Sequence, residues 1–509
     1  MLKLCLFLSL LACGALAGDP AALQRAVADA VSSGASSYTV PAGVYNFSAL
    51  PSGSSATLNI VNATSFSLLS DGVVEWVFPP EGGLRLHNCN NVSLSGPFTI
   101  DAWPPFTTQG VLSDGVRDGF MFNFTLTLDS GFELDPARFI NIPGGSRAIF
   151  FDPATRRFLP GQSLCVTSAR AAAPLGGGAW HVSVSFHCNP TLVIPDGSLC
   201  ALTPTPGGPA VLIENSTAVH VTDLTSHAAA GFTLLEAGGD GGHTYERYKV
   251  VRRPGSSRLM CSGADVLHST AVAKGLTLLD SELSFASDDL FAVHCELGIL
   301  WRRINATAYL IIDTSGPNGY GLPRAQPGEE LYMYNMSLAM ERVGEAVLAP
   351  MGFIPVTNAT LIAEAQQAGE YIRRVLNLTL RNFSVNLLLA VLAPPGLPLL
   401  HDYGALVELP SRCGAGTLVR GSYLHDTNGG MRLKGSRVTV ESSVIENAYG
   451  LRMLPELFWT QSVSSNITLA NNVLRGCGCS ANAPHAIEYN PDIVGLTLIN
   501  NSVYPQNCT

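Results

Sequence analysis

One short phrase recurs along this chain: a turn rich in Asn, Ser or Gly, then a strand in which apolar and polar residues alternate. It reads Asn90-Asn91-Val92-Ser93-Leu94, Ser216-Thr217-Ala218-Val219-His220-Val221, Gly275-Leu276-Thr277-Leu278-Leu279, Ser436-Arg437-Val438-Thr439-Val440, Asn466-Ile467-Thr468-Leu469 and Val494-Gly495-Leu496-Thr497-Leu498. Late in the chain, neighbouring copies lie about 22 to 30 residues apart. That is the period of a solenoid, in which each coil buries its apolar face only against its neighbours. Paired asparagines at Asn471-Asn472 and Asn500-Asn501 fit stacked coil corners. A β-sandwich also has many short strands, but not one phrase at coil-length spacing. Composition points the same way: the 509 residues are 47% hydrophobic and only 13% charged, with 50 Gly and 32 Pro. Globular domains carry roughly 25% charged residues, so disorder, which needs dense charge and few apolar residues, is excluded. The Gly and Pro content excludes a long coiled coil. With 29 Lys plus Arg against 39 Asp plus Glu, the net charge of −10 argues against nucleic acid as a partner.

The beginning of the chain reads as a secretory signal. Lys3 precedes an apolar run from Leu4 to Leu16, and Ala15-Leu16-Ala17 offers small residues at a cleavage site. The run is shorter than the roughly 20 residues a membrane span requires, and no later segment reads as one. Ten cysteines follow it (Cys89, Cys165, Cys188, Cys200, Cys261, Cys295, Cys413, Cys477, Cys479 and Cys508), as do 13 N-x-S/T sequons. An even cysteine number in an oxidising compartment predicts disulfides of undetermined pairing, and the expected location is extracellular. Asp19-Pro20 then reads as an N-cap and first helical position, with Leu23, Val27 and Val31 on one face and Gly34 ending the helix. The helix followed by Tyr38-Thr39-Val40-Pro41-Ala42-Gly43-Val44-Tyr45 resembles the N-terminal cap of right-handed parallel β-helices. The expected organisation is all-β: signal peptide 1–17, cap and first coils 18–125, an inserted β-rich subdomain 126–208, coils 209–301, a second inserted β-rich subdomain 302–400, and C-terminal coils 401–509. Both insertions break the coil rhythm, and insertions of this kind often border a binding face.

Chemistry concentrates between residues 240 and 300. Asp265 lies in Gly263-Ala264-Asp265-Val266-Leu267-His268, and Asp288-Asp289 in Ser287-Asp288-Asp289-Leu290-Phe291-Ala292-Val293-His294. Asp265 and Asp288 are 23 residues apart, about one coil, and adjacent coils stack about 4.8 Å apart. Clustered carboxylates disfavour a second ionisation, leaving one protonated and one ionised group, the equipment of glycoside hydrolysis. Because alternate strand residues face opposite sides, Asp288 and Asp289 share a groove only if the backbone bulges; the plainer alternative is a turn pair capping a corner. His268, His294, Arg253, Glu296 and Trp459 are candidate substrate contacts. Arg432, Lys434 and Trp301 are weaker ones, since strand ends and cores carry such residues routinely. No metal-spaced cluster or phosphate-cradling loop occurs, so no metal or cofactor is expected.

The segment from Arg252-Arg253-Pro254-Gly255 through Gly263-Ala264-Asp265-Val266-Leu267-His268-Ser269 to Asp280-Ser281-Glu282 and Ser287-Asp288-Asp289 resembles right-handed parallel β-helix glycosidases, most closely the α-1,3-galactosidases of glycoside hydrolase family 110. The stretch from Gly414 through Thr427-Asn428-Gly429-Gly430-Met431 to Phe458-Trp459 and Asn471-Asn472 is similar as well. The resemblance implies a secreted, inverting glycosidase that uses Asp265, Asp288 and Asp289 on an oligo- or polysaccharide. Val266 stands where the family has Gly, and Leu290-Phe291 where smaller residues follow the Asp pair. Three other readings remain open. A polygalacturonase-like hydrolase would need a cationic groove, which four lysines do not promise. A lyase would need a Lys, Arg or His base and usually Ca²⁺. An inactive glycan-binding or structural β-helix is the third.

Overall fold

The computed structural model describes residues 17–49, 56–132, 135–140, 146–159, 168–186, 193–204, 207–295, 297–305, 307–313, 326–334, 342–375, 386–393, 405–448, 450–453, 464–478, 485–489 and 493–504. Its N-terminal helix, Pro20–Ser32, begins where the Asp19 carboxylate accepts the amides of Ala21 and Ala22 at 2.9 and 3.1 Å. Leu23 and Val27 are buried against the first coil, and Gly34 takes the left-handed conformation after the last turn. Tyr38 to Tyr45 form part of one strand, Ser37–Asn46, with a register irregularity between Pro41 and Gly43 rather than a separate turn.

From there the chain winds as a right-handed parallel β-helix with three strands to a coil. Where the site lies, the first face holds Thr244–Glu246, Thr277–Leu279 and Leu418–Arg420, and the second holds Lys249–Val250, Glu282–Ala286 and Tyr423–Thr427. The third face runs from Thr57–Val61 to Ile487–Tyr489 and includes Leu234–Ala237, Leu267–Thr270, Phe291–His294 and Met431–Leu433. Nearer the N terminus, long strands such as Thr64–Phe78 and Asn90–Ala102 bend to serve both the first and second faces. Alternation places Leu267, Phe291, Val293, Met431 and Leu433 in one continuous apolar core.

The corner between the first and second faces shows why Asn, Ser and Gly recur. At successive levels Arg247, Asp280, Gly421, Ser442, Asn471 and Asn500 all adopt positive φ, between 46° and 64°. That conformation favours Gly and Asn over residues with a bulky Cβ. The next residue of each corner joins a polar ladder. The amides of Tyr248, Ser281 and Ser422 donate to the hydroxyls of Ser281, Ser422 and Ser443 at 3.1, 3.3 and 3.2 Å. The amides of Ser443 and Asn472 then donate to the side chains of Asn472 and Asn501, each at 3.0 Å. Several sequon asparagines (Asn62, Asn91, Asn215, Asn466 and Asn500) are exposed corner residues of the same positive-φ kind.

Two excursions leave the solenoid. The first departs after Ala102 at the second-to-third corner and forms a six-stranded antiparallel sheet from Thr108–Asp118 to Leu199–Pro204. It docks back through Arg157, whose guanidinium bonds Asp426 at 2.8 Å and Glu446 at 2.6 Å. The second leaves after His294 at the third-to-first corner and closes a six-stranded barrel between Leu297–Arg303 and Ala405–Glu408, with the helix Ala359–Val375 packed on it. A Cys295–Cys413 disulfide ties the neck of this barrel. Cys89, Cys200, Cys261 and Cys477 are buried thiols instead of disulfide partners, while Cys165, Cys188, Cys479 and Cys508 lie outside the described residues. Residues 1–16 of the signal segment also lie outside them.

The ladder gives a direct prediction. Asn472 is fully buried and its amide nitrogen also donates to the Val440 carbonyl at 2.7 Å. Asn472→Ala removes the acceptor of the buried Ser443 amide and the bond to that carbonyl, so it should lower stability by about 1–3 kcal/mol in urea unfolding. Asn471→Ala, which changes only the positive-φ corner, should cost less.

Candidate active site

The carboxyl cluster forms at the corner where the second face turns into the third, the same corner that emits the first excursion. Asp288 and Asp289 sit in the bend between Glu282–Ala286 and Phe291–His294, not inside a strand. Strand alternation therefore does not separate them. The register also differs from the sequence expectation: Asp265 is level with Asp289, 24 residues on, and not with Asp288. The Val266 amide donates to the Asp289 carbonyl at 2.9 Å, and the Asp289 amide reaches the Asp265 carboxylate at 3.3 Å. One carboxyl oxygen from each of Asp265, Asp288 and Asp289 lies within 4.8 Å of the other two. Gly429 permits this close approach, because a Cβ there would stand 2.2 Å from the Asp289 carboxylate. The Gly430 amide donates to the same carboxyl group at 3.0 Å.

The three carboxyl groups differ in environment. Asp288 keeps a quarter of its side-chain surface exposed and pairs with Arg147 from the first excursion, whose guanidinium also bonds the Ser287 carbonyl at 2.6 Å. Burial alone would raise its pKa, but the Arg147 and Arg432 charges outweigh burial and hold it below the ordinary carboxylate range. Asp289 is almost wholly buried and its pKa is pushed up to about 8. Burial is the main cause; Arg432, 2.5 Å away, opposes it, and Asp288 and Asp265 add to it. The two neighbours thus divide into an ionised and a proton-holding carboxyl. A cluster of this spacing has the donors to bind a divalent cation, but Arg147 and Arg432 already supply the compensating charge to two of its members.

His268 and His294 project from the outer side of the third face. His268 lies 2.6 Å from the Asp265 carboxylate through Nδ1 and 2.9 Å from His294 through Nε2, with Phe232 against its ring at 4.6 Å. Arg432 belongs to the site, and Lys434 is fully buried one level beyond Val293. Arg253 does not join the cluster. It pairs with Asp101 at 2.7 Å and with Glu75, as part of a separate network on earlier coils. Trp301 packs in the barrel beneath Arg302. Glu296 and Trp459 lie outside the described residues. Val266, Leu290 and Phe291, where the sequence departs from the resemblance, are wholly buried in the solenoid core. Sequence reading missed Arg147, which comes from an excursion strand 141 residues before Asp288 and carries no local motif.

Fold and cluster together define a parallel β-helix bearing a carboxyl cluster at the corner between its second and third faces. No protein-family model matches the chain, and no curated protein matches it. Among solved structures it is similar to the A-module of a mannuronan C-5 epimerase from Azotobacter vinelandii, at 10% identity over 97% of this chain and 94% of that one, with a TM-score of 0.30. It is also similar to a glycoside hydrolase, at 6% identity over 94% and 92% of the two chains and a TM-score of 0.26. A tailspike of Pseudomonas phage phi297 matches at 11% identity over 95% and 68%, with a TM-score of 0.20. At these scores the chemistry rests on this chain's own residues.

The Asp289 shift has a consequence for stability. A carboxyl whose folded pKa is raised weakens the fold between its unfolded value, roughly 3.9, and its folded value near 8. Asp289→Asn removes that penalty. Urea unfolding at a series of pH values should show the variant gaining on the wild type as pH rises from 4 to 8, by on the order of a few kcal/mol. Parallel curves would mean that Asp289 is ionised in the folded state.

Proposed function

We propose that the protein is a glycoside hydrolase acting on an extracellular oligo- or polysaccharide. The observation that carries this reading is the pairing of an ionised Asp288, held by Arg147, with a neighbouring proton-holding Asp289. Asp289 donates its proton to the departing glycosidic oxygen as the C–O bond breaks. Asp288 faces the anomeric carbon. Inversion uses carboxyl groups roughly 6.5–9.5 Å apart with water between them, whereas retaining pairs lie roughly 5–5.5 Å apart. One oxygen from each of the three carboxyl groups lies within 4.8 Å of the other two, nearer the retaining than the inverting spacing. This favours Asp288 as the nucleophile and a retained anomeric configuration, in contrast to the inversion that the resemblance implies. In the second half-reaction Asp289 takes a proton from water while that water displaces the sugar from Asp288.

The family 110 resemblance supports a terminal α-galactoside as substrate. A second reading, a pectic hydrolase, gains support from the two arginines at the cluster, Arg147 and Arg432. The disulfide at the barrel neck supports passage through an oxidising secretory compartment.

Turnover of aryl α-galactosides and of pectic oligomers separates the two substrate readings. Asp288→Asn and Asp289→Asn should each lower kcat by about 10²-fold or more. Unchanged turnover in both would remove the catalytic assignment, and glycan binding without wild-type turnover would favour the inactive-binder alternative. ¹H NMR of the first-formed sugar should show the substrate's anomer; the opposite anomer would place a water, not Asp288, at the anomeric carbon.

A further inference from the structure

The side chains behind the cluster form a chain of three hydrogen bonds whose protons can be counted. His294 Nδ1 lies 2.6 Å from the Cys295 carbonyl oxygen, which can only accept, so that nitrogen carries a hydrogen. His294 Nε2 and His268 Nε2 are 2.9 Å apart, so exactly one of them carries the next. His268 Nδ1 and the Asp265 carboxylate oxygen are 2.6 Å apart, which requires a third. Two neutral imidazoles supply two hydrogens. The third is additional, and its charge cancels that of the Asp265 carboxylate.

We propose that Asp265, His268 and His294 form a relay holding this one extra proton, so that the Asp265 arm reaches the cluster as a net-neutral unit. The proposal rests on the acid–base reading of Asp288 and Asp289 for its catalytic consequence, but not for the proton count. His268 is a positioning residue within it: it fixes the charge of Asp265, whose other oxygen accepts the Asp289 amide. Charged neighbours bear on the arrangement from the adjoining strand, where Arg432 and Lys434 disfavour a cationic His294. Together with burial and His268, they hold the His294 pKa well below the ordinary histidine value. The extra proton is thereby kept on the His268–Asp265 side. No bond to substrate is made by the relay. With the charge of Asp265 cancelled, repulsion on Asp289 from that side is relieved, so its proton is held mainly by burial and the Asp288 charge and is released more readily to the leaving group. The Phe232 ring packs against His268, with ring centres 4.6 Å apart.

Side-chain ¹⁵N and ¹³C NMR on the full chain at pH 7 tests the count without any activity. Three hydrogens shared among the Asp265 carboxyl and the two imidazoles are expected, with His294 protonated on Nδ1 alone; two hydrogens would overturn the proposal. Kinetics tests the role. His268→Gln should lower kcat at least tenfold with KM within about twofold, and should shift the alkaline limb of the pH–rate profile. His294→Gln, whose amide oxygen can still accept from His268, should lose less than His294→Phe, which should fall with His268→Gln. A wild-type profile in His268→Gln, or equal losses in His294→Gln and His294→Phe, would overturn the role. Should His294→Phe fail to fold, the His268→Gln profile decides alone. If the protein hydrolyses no glycan while NMR still counts three hydrogens, it is the functional reading that fails and the relay stands.

Discussion

In-register stacking of parallel coils is the constraint on which the rest of this molecule depends. Each level must turn with the same handedness at the same corner, so positive φ is demanded at residues as different as Arg247, Asp280, Ser442 and Asn471. The polar atoms freed at the corner must then be satisfied along the stack, which the Ser and Asn side chains accomplish. A solenoid built this way needs few charges, and it brings residues one coil apart into contact. Asp265 and Asp289 meet for that reason alone.

The same stacking explains how ionisation is divided at the site. A β-helix face alone would present three carboxylates at one corner with nothing to separate their behaviour. The first excursion leaves from that corner and returns Arg147 to Asp288, the most exposed member. Asp289 lies deeper, against the Gly429-Gly430 backbone, where desolvation exceeds what Arg432 restores. The excursions thus shape the cluster's surroundings. One supplies the cation that keeps a carboxylate charged, and the other begins directly after His294, at the disulfide of Cys295.

Much of this was legible in the sequence, and for physical reasons. The N-terminal helix announces itself by Asp19-Pro20 and a four-residue apolar spacing, because capping and burial act locally. The coils announce themselves because each repeats the same corner chemistry. The cluster was legible as phased aspartates, although the coil there is 24 residues long, so Asp289 and not Asp288 is level with Asp265. Arg147 was not legible, since contacts between an excursion and the solenoid follow no period. Nor was the helix Ala359–Val375, which packs on the barrel through tertiary contacts within the stretch 302–400 expected to be β-rich. Arg253 stood in a suggestive motif, yet its partners Asp101 and Glu75 come from earlier coils and draw it into a structural network.

The central claim is that two adjacent aspartates hold opposite charge states. A ¹³C NMR titration of aspartate side-chain carboxyls, assigned with Asp288→Asn and Asp289→Asn, measures this directly. At pH 6 the account predicts an ionised Asp288 and a protonated Asp289; two ionised carboxylates at that pH would contradict it.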